Sequence, residues 1–349
     1  MLSVLRAVAR FFREKIGWNR IGVLLSLSII AVAVVVLFHT LRNTNVDEVV
    51  AALKATEEHQ IVLALLFVVI GYSSLTFYDL FALRAVGFDK IPYRVAALTG
   101  FTSYSVGHNV GASAFSGGAV RYRIYSAYGL TVTEVAKVCF IAGLTFWLGN
   151  AAVLGLGVLY VPLAASAIDQ LPIWVNRVIA VGILVTLVSY IGWVSSARRV
   201  IGKGGWEVQL PGGASTLLQI CIGILDLSCC ALAMYMLLPD EPNIGFVYMA
   251  VIFVTATMLG FASHAPGGLG VFDAAMLIAL WQYDKEDLLA GLLLFRLLYY
   301  ICPFVVALAI LGTREFFLGV HAPEKQSEKI KASAPIRSEM EVIEKSDIG

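Results

Sequence analysis

Four ionisable residues lie inside stretches that are otherwise apolar enough to cross a membrane. A charged side chain in a bilayer is costly, so such residues are usually functional or paired. A guanidinium presents planar donors that match phosphate oxygens, whereas a carboxylate suits a cationic amine. The residue types predict that the arginine holds a lipid phosphate or another anionic headgroup while the acids contact its cationic part. The four residues are Asp79, Asp226, Asp273 and Arg296.

The depth of each residue follows from counting along its span at ~1.5 Å per residue. Asp226 and Arg296 both fall roughly 18 Å from the cytoplasmic side, so a static ion pair that only holds two helices together is the structural alternative. Asp79 and Asp273 fall roughly 10 Å from that side, where they could flank the glycine-rich segments described next. Asp79 could equally end a helix near the interface, and Asp273 could begin one, favoured by the helix dipole.

Two glycine-rich, polar segments, at 107–121 and 263–273, interrupt the apolar sequence. Irregular backbone cannot face lipid, because unpaired N–H and C=O groups cost several kcal/mol each there. Such breaks therefore lie within protein or line a wet cavity, and they are typical of a binding site or pathway. Their shared pattern, an aromatic residue, a serine, a histidine and Gly-Gly, indicates either a duplicated half or merely two similar packing segments.

Polar and basic side chains belong to the first glycine-rich segment and continue beyond it. Arg121 and Arg123 follow its Gly-Gly directly and predict either an interfacial anchor or a site that gathers phosphate at the mouth of a lipid pathway. His108 is more typical of a hydrogen bond between helices than of catalysis. With the neighbouring Asn109 and the four intramembrane residues, these side chains form the predicted substrate-binding set.

The sequence has no motif that predicts catalysis. It lacks a His-Glu-x-x-His motif, a nucleophile elbow and a phosphate-binding loop. The 5 cysteines all lie in apolar runs without metal-type spacing, so they are expected to be small core residues. No cofactor, metal site or catalytic residue is predicted, and the chain is not expected to be an enzyme.

The composition indicates a polytopic membrane protein. Hydrophobic residues make up 59% of 349 and charged residues 14%, against about 25% charged in soluble domains. Apolar runs of about 20 residues recur and do not alternate with polar positions as barrel strands would. The predicted fold is all-α, with about eight transmembrane helices and one or two re-entrant glycine-rich segments. Nothing indicates a nucleic-acid partner.

The distribution of basic residues predicts the topology, because cytoplasmic flanks are rich in Lys and Arg. With both termini cytoplasmic in a bacterial-type inner membrane, 20 of the 25 Lys and Arg lie on the cytoplasmic side. Residues 1–20 form a basic cytoplasmic segment, 21–315 the membrane domain and 316–349 a disordered cytoplasmic tail. The spans are expected at 21–39, 61–83, 138–160, 173–194, 214–238, 244–263, 267–282 and 288–312, with a re-entrant hairpin at 95–120 and an outer loop at 162–172.

Both glycine-rich segments resemble signatures of one family. The sequence VGHNVGASAFSGGAVRYRIY at 106–125 and the sequence PGGLGVFDAAM at 266–276 are similar to those of the lysylphosphatidylglycerol synthase transmembrane family. That family includes the N-terminal flippase region of the multiple peptide resistance factor. The resemblance implies an integral membrane protein that moves aminoacylated phosphatidylglycerol to the outer leaflet. It also implies that Asp79, Asp226 and Arg296 correspond to the family's intramembrane charges.

Three functions remain open at this stage. The first is a flippase-like protein that moves or binds phosphatidylglycerol, an aminoacylated form or a related anionic phospholipid. The second is a membrane subunit of a separately encoded aminoacyl-phospholipid synthase, because the family's aminoacyl-transfer domain is not found in this sequence. The third is a structural or regulatory protein without a substrate. Glycine-rich helix faces would also permit homo-oligomers.

Overall fold

A computed structural model describes residues 46–204, 206–263 and 266–318, together with Ala31 and Val35. The predicted first span at 21–39, apart from those two residues, the basic segment at 1–20 and the tail beyond 318 lie outside the described residues. The helices are α1 (Val46–Ala55), α2 (Glu58–Val86), α3 (Tyr93–Val110), α4 (Ser113–Tyr125), α5 (Val132–Tyr160), α6 (Pro162–Asp169), α7 (Ile173–Ser196), α8 (Gly213–Tyr235), α9 (Phe246–Ala262), α10 (Val271–Ala279), α11 (Lys285–Phe295) and α12 (Cys302–Leu318).

The polytopic membrane architecture is confirmed. Within the described part of the chain, five helical stretches are long and apolar enough to cross a bilayer: α2, α5, α7, α8 and the continuous helical run Lys285–Arg314. This last run joins α11 to α12 through a π-helical turn, Arg296–Ile301. The shorter helices α9 and α10 have 17 and 9 residues. The total of about eight spans stays a prediction.

Local signals explain where the long helices begin and end. Thr131 starts α5, where its hydroxyl accepts the N–H of Glu134 at 3.3 Å while the Glu134 carboxylate accepts the N–H of Thr131 at 2.6 Å. This reciprocal cap satisfies two of the donors that a helix start leaves unpaired. Gly87 ends α2 with φ at 92°, a conformation that costs glycine little.

Helices α2, α5 and α8 form the centre of the bundle, and α3 packs against α2. Gly149 of α5 and Gly223 of α8 lie at the point where these two helices cross, so close that a β-carbon on either would collide with the other's backbone. Nearby, the Gln219 side chain donates to the Thr145 hydroxyl at 2.7 Å. Small residues and interhelical hydrogen bonds of this kind are what hold membrane helices together.

The first glycine-rich segment forms a helical hairpin, not an extended irregular stretch. Helices α3 and α4 pack along each other and are joined by Gly111 and Ala112, whose φ angles are 80° and 43°. A β-carbon on Gly117 would lie 2.9 Å from the backbone oxygen of Ser103, so glycine permits the close contact between the two arms. The helices satisfy their own backbone groups, and only the turn is irregular. The re-entrant topology stays a prediction.

The second glycine-rich segment forms a second hairpin, between α9 and the short helix α10. A single 3₁₀ turn, Pro266–Gly268, lies in the connection, and Gly267, Gly268 and Gly270 have φ angles of 60°, 62° and 81°. Helix α10 packs against α9. At nine residues it is about 13 Å long, well short of the ~30 Å hydrocarbon core.

Two further elements differ from the sequence prediction. The expected loop at 162–172 contains helix α6, which starts with Pro162, a residue favoured at the first helical position. The basic connection between α7 and α8 contains an antiparallel hairpin of strands β1 (Val200–Lys203) and β2 (Trp206–Gln209). Gly202 and Gly204, with φ angles of 103° and 61°, make this turn possible.

Candidate functional site

The fold brings the two glycine-rich turns together. Helix α3, near its C-terminal end, contacts the turn Pro266–Gly268. A β-carbon on Gly267 would lie within 4 Å of the Arg296 guanidinium, the Tyr300 ring and the His108 backbone oxygen. Two segments far apart in sequence therefore meet beside an intramembrane arginine.

Arg296 forms an ion pair with Asp273 at this junction. Its Nη2 donates to Asp273 Oδ2 at 2.5 Å and its Nε to Oδ1 at 3.0 Å, while Nη1 donates to the Gly267 carbonyl oxygen at 3.3 Å. Asp273 Oδ2 also accepts the N–H of Gly270 at 3.0 Å and so caps the start of α10. The two side chains are 15% and 22% exposed, so the pair is only partly covered.

The predicted pairing of Asp226 with Arg296 is wrong. Arg296 is taken by Asp273, while Asp226 accepts a hydrogen bond from the Tyr78 hydroxyl at 3.1 Å and lies 3.9 Å from Cys230 Sγ. Depth counted along straight spans placed the two residues at one level. It could not show that the second hairpin folds back and places Asp273 against Arg296.

A second ion pair, Arg121 with Asp79, joins α4 to α2 and is buried, at 6% and 0% exposure. The Arg121 Nη2 donates to Asp79 Oδ1 at 2.6 Å, and the Tyr125 hydroxyl donates to Oδ2 at 2.8 Å. The guanidinium also lies 4.7 Å from the centre of the Tyr104 ring. The Nε and Nη2 donors of Arg121 are thus taken by Asp79, and a phosphate could reach them only if this pair opened. Arg123 is half-buried, two residues further along α4.

Asn109 and His108 connect the first hairpin to the π-helical turn, the first by hydrogen bonds and the second by ring packing. The Asn109 side chain donates to the Ser105 carbonyl at 2.8 Å and to the Tyr300 carbonyl at 3.1 Å. The His108 ring packs among aromatic rings with centroids 5.8–6.5 Å away, and its Nδ1 is buried without a hydrogen-bond partner within the described part of the chain. Those rings belong to Tyr104, Phe261, Tyr299 and Tyr300.

Sequence reasoning missed the tyrosines that surround the charges. A usable signal was present in the spacing: Tyr104 precedes His108 by four residues, and Tyr300 follows Arg296 by four. Residues four apart on a helix share a face, so aromatic rings next to each candidate side chain were predictable. Contacts between helices, such as that of Tyr78 with Asp226, carry no such local signal.

These features define an α-helical polytopic membrane protein whose two hairpin turns meet at a partly exposed ion pair. No family model matches the chain, but several proteins are similar to it. It is 28% identical to the uncharacterized protein slr0712 of Synechocystis over 270 residues, which is 77% of this chain and 84% of that protein. It is 29% identical to the inner membrane protein YbhN of Escherichia coli over 249 residues, 69% of this chain and 76% of that protein.

A third relative is the phosphatidylglycerol lysyltransferase of Staphylococcus haemolyticus, 26% identical over 324 residues. That match covers 83% of this chain but only 33% of the lysyltransferase, in its N-terminal membrane region. The chain is homologous to all three proteins, in agreement with the resemblance of its two glycine-rich segments to the lysylphosphatidylglycerol synthase transmembrane family.

Proposed function

We propose that this chain is an inner-membrane protein that moves an anionic phospholipid, phosphatidylglycerol or an aminoacylated form of it, between leaflets. The observation that carries the proposal is the Arg296–Asp273 pair at the junction of the two hairpin turns. It is the more exposed of the two intramembrane ion pairs described above. A headgroup can therefore reach it with less rearrangement than Arg121 would require.

The chemistry of the pair suits exchange with a phosphate. A lipid phosphate can replace the Asp273 carboxylate on Arg296, because both anions accept paired hydrogen bonds from a guanidinium. If the displaced carboxylate then turns toward a ligand amine, it also releases the Gly270 N–H, which now donates to it. The start of α10 would then offer a further anion-binding donor. The released Asp273 carboxylate suits the ammonium group of an aminoacylated headgroup.

The relatives support the lipid class and the membrane. One is named an inner membrane protein, and others are named phosphatidylglycerol lysyltransferases, which by name act on phosphatidylglycerol. The homology covers the membrane part of the lysyltransferases and not their synthase domain. Lipid handling is therefore the activity that the shared region supports best, and aminoacyl transfer by this chain is not proposed.

Reconstitution tests the proposal directly. The purified chain is placed in vesicles that contain headgroup-labelled phosphatidylglycerol, and the fraction of label that an impermeant quencher reaches is followed over time. We expect faster access with the wild-type chain than in empty vesicles, and no gain with Arg296→Ala. Arg177→Ala, at an exposed arginine on α7, is the matched control and should behave as wild type. Folded wild-type protein with no gain over empty vesicles would contradict the proposal.

A further inference from the structure

Asp226 is an intramembrane carboxyl group with no basic partner among the residues that the structure describes. It lies on α8, is 3% exposed, and its polar contacts include the Tyr78 hydroxyl, the Ser74 side chain and the Cys230 thiol. The thiol in turn donates to the Tyr299 hydroxyl at 3.2 Å. Among the described residues, the titratable groups that face Asp226 from the helices around it are tyrosine hydroxyls and cysteine thiols: Tyr72, Tyr78, Tyr104, Cys229, Cys230 and Tyr299.

The contrast with the other two intramembrane aspartates is informative. Asp79 and Asp273 each form a paired contact with an arginine, which offsets the cost of their charge. Asp226 has no such partner among the described residues, and an isolated ionised carboxylate in a low-dielectric interior is very costly. A bound proton removes the charge. The Tyr78 hydroxyl can donate to the ionised group or accept from the protonated one, so the site suits both states.

The contacts around Asp226 lead toward both hairpins. The Tyr78 ring packs edge-on against Tyr104 at 5.9 Å, and Tyr104 lies beneath the Arg121 guanidinium of the first hairpin. On the other side, Tyr299 stacks on His108 at 6.2 Å, and the His108 ring packs against Phe261 of the second hairpin at 6.1 Å. A change in the hydrogen bonds of Asp226 would therefore alter the packing of side chains that contact the two hairpins.

We propose that Asp226 is a proton-binding site that couples lipid movement to a proton gradient. The carboxylate takes one proton from one aqueous side and releases it to the other, and its two states favour different arrangements of the hairpins. This inference rests on the proposed function, which it deepens by naming the coupling ion. Coupling to a single proton can shift the distribution of lipid between leaflets at most about tenfold per pH unit of gradient.

Infrared difference spectra test proton binding without any transport assay. A protonated carboxyl group in an apolar site gives a separate C=O stretching band, and a pH titration of the folded chain in vesicles should make that band appear and disappear. Asp226→Asn, which copies the shape of the neutral acid, should lose the band. Asp89→Asn, at an exposed carboxylate, should retain it. Identical spectra for wild type and Asp226→Asn would overturn the inference.

Lipid movement under a pH gradient tests the coupling. Wild-type vesicles should shift labelled lipid toward one leaflet when a gradient is imposed and lose the shift when an ionophore collapses it. Asp226→Asn should lose the response to the gradient, and Asp89→Asn should keep it. Wild-type exchange without any response would overturn the coupling and leave the proposed function standing. A titrating Asp226 band in a chain that moves no lipid would overturn the proposed function and the coupling, and establish the proton site alone.

Discussion

At the residue scale, two ion pairs of the same chemistry differ in how far solvent and lipid can reach them. Arg121 and Asp79 are at most 6% exposed, and Asp79 also accepts a hydrogen bond from the Tyr125 hydroxyl, whereas Arg296 and Asp273 are 15% and 22% exposed. A buried pair with paired hydrogen bonds between its partners holds two helices together. A partly exposed pair at a turn can exchange one partner for a ligand. We therefore expect substitutions at the two pairs to differ in their effects on stability and on lipid movement.

Arg121→Ala should destabilise the fold much more than Arg296→Ala. Removing Arg121 leaves the Asp79 carboxylate buried without a cation, a defect that typically costs about 3–5 kcal/mol. Asp273, by contrast, is partly exposed and keeps its bond to the Gly270 N–H. Thermal unfolding of both variants in one detergent, followed by fluorescence-detected size exclusion, checks this. Equal losses of stability would contradict the division of roles.

Asp273→Asn should strengthen the binding of anionic lipid and slow its movement. The amide oxygen can still accept from the Gly270 N–H, but the charge that competes with phosphate for Arg296 is gone. Native mass spectrometry of bound phosphatidylglycerol, together with the vesicle assay, separates the two effects. Asp169→Asn on α6, at an exposed carboxylate distant in sequence from the junction, serves as the control. Weaker lipid binding in Asp273→Asn would show that Asp273 contacts the lipid favourably instead.

At the scale of elements, the hairpins depend on glycines whose neighbours leave no room for a side chain. The two adjacent glycines of the first hairpin provide a matched pair. A β-carbon on Gly117 would lie 2.9 Å from the Ser103 backbone oxygen, whereas one on Gly118 would meet only Cys139 Sγ at an ordinary 3.7 Å. A β-carbon on Gly117 would therefore require α3 and α4 to separate, whereas a β-carbon on Gly118 would not.

Gly117→Ala should therefore lower stability and lipid movement together, while Gly118→Ala should change neither appreciably. Forcing extra volume into a packed contact typically costs about 1–3 kcal/mol. Melting temperature and the rate of label exchange are measured for both variants in the same preparation. If Gly118→Ala is the more damaging of the two, the packing of α3 against α4 is not as described.

Long apolar helices were predictable from the sequence, because a run of about 20 apolar residues has few alternatives in a membrane protein. The two glycine-rich segments were also recognised as interruptions. Their helical content was not, since glycine-rich composition lowers helix propensity while close packing between the arms compensates. The short hairpin of β1 and β2 had a local signal in its glycines that the apolar pattern of the whole chain obscured.

At the scale of the whole molecule, the meeting of the two turns is the feature that sequence reasoning could not supply. Asp273 and Arg296 were both identified as candidates, but their pairing depends on how α10 folds back toward the π-helical turn. The proposed repeat of two halves stays a prediction: both glycine-rich segments form hairpins, yet their second arms differ in length, with 13 and 9 residues.

The central claim is that the chain moves lipid between the leaflets and that the lipid headgroup binds at the Arg296–Asp273 junction. The most direct measurement expresses the chain with a separate lysyl-lipid synthase in cells and labels outer-leaflet amines with an impermeant reagent. We predict more labelled lipid at constant total lipid, and no gain with Arg296→Ala at equal protein level. A change in total aminoacylated lipid instead would indicate a synthase subunit, and no change in either quantity would contradict the account.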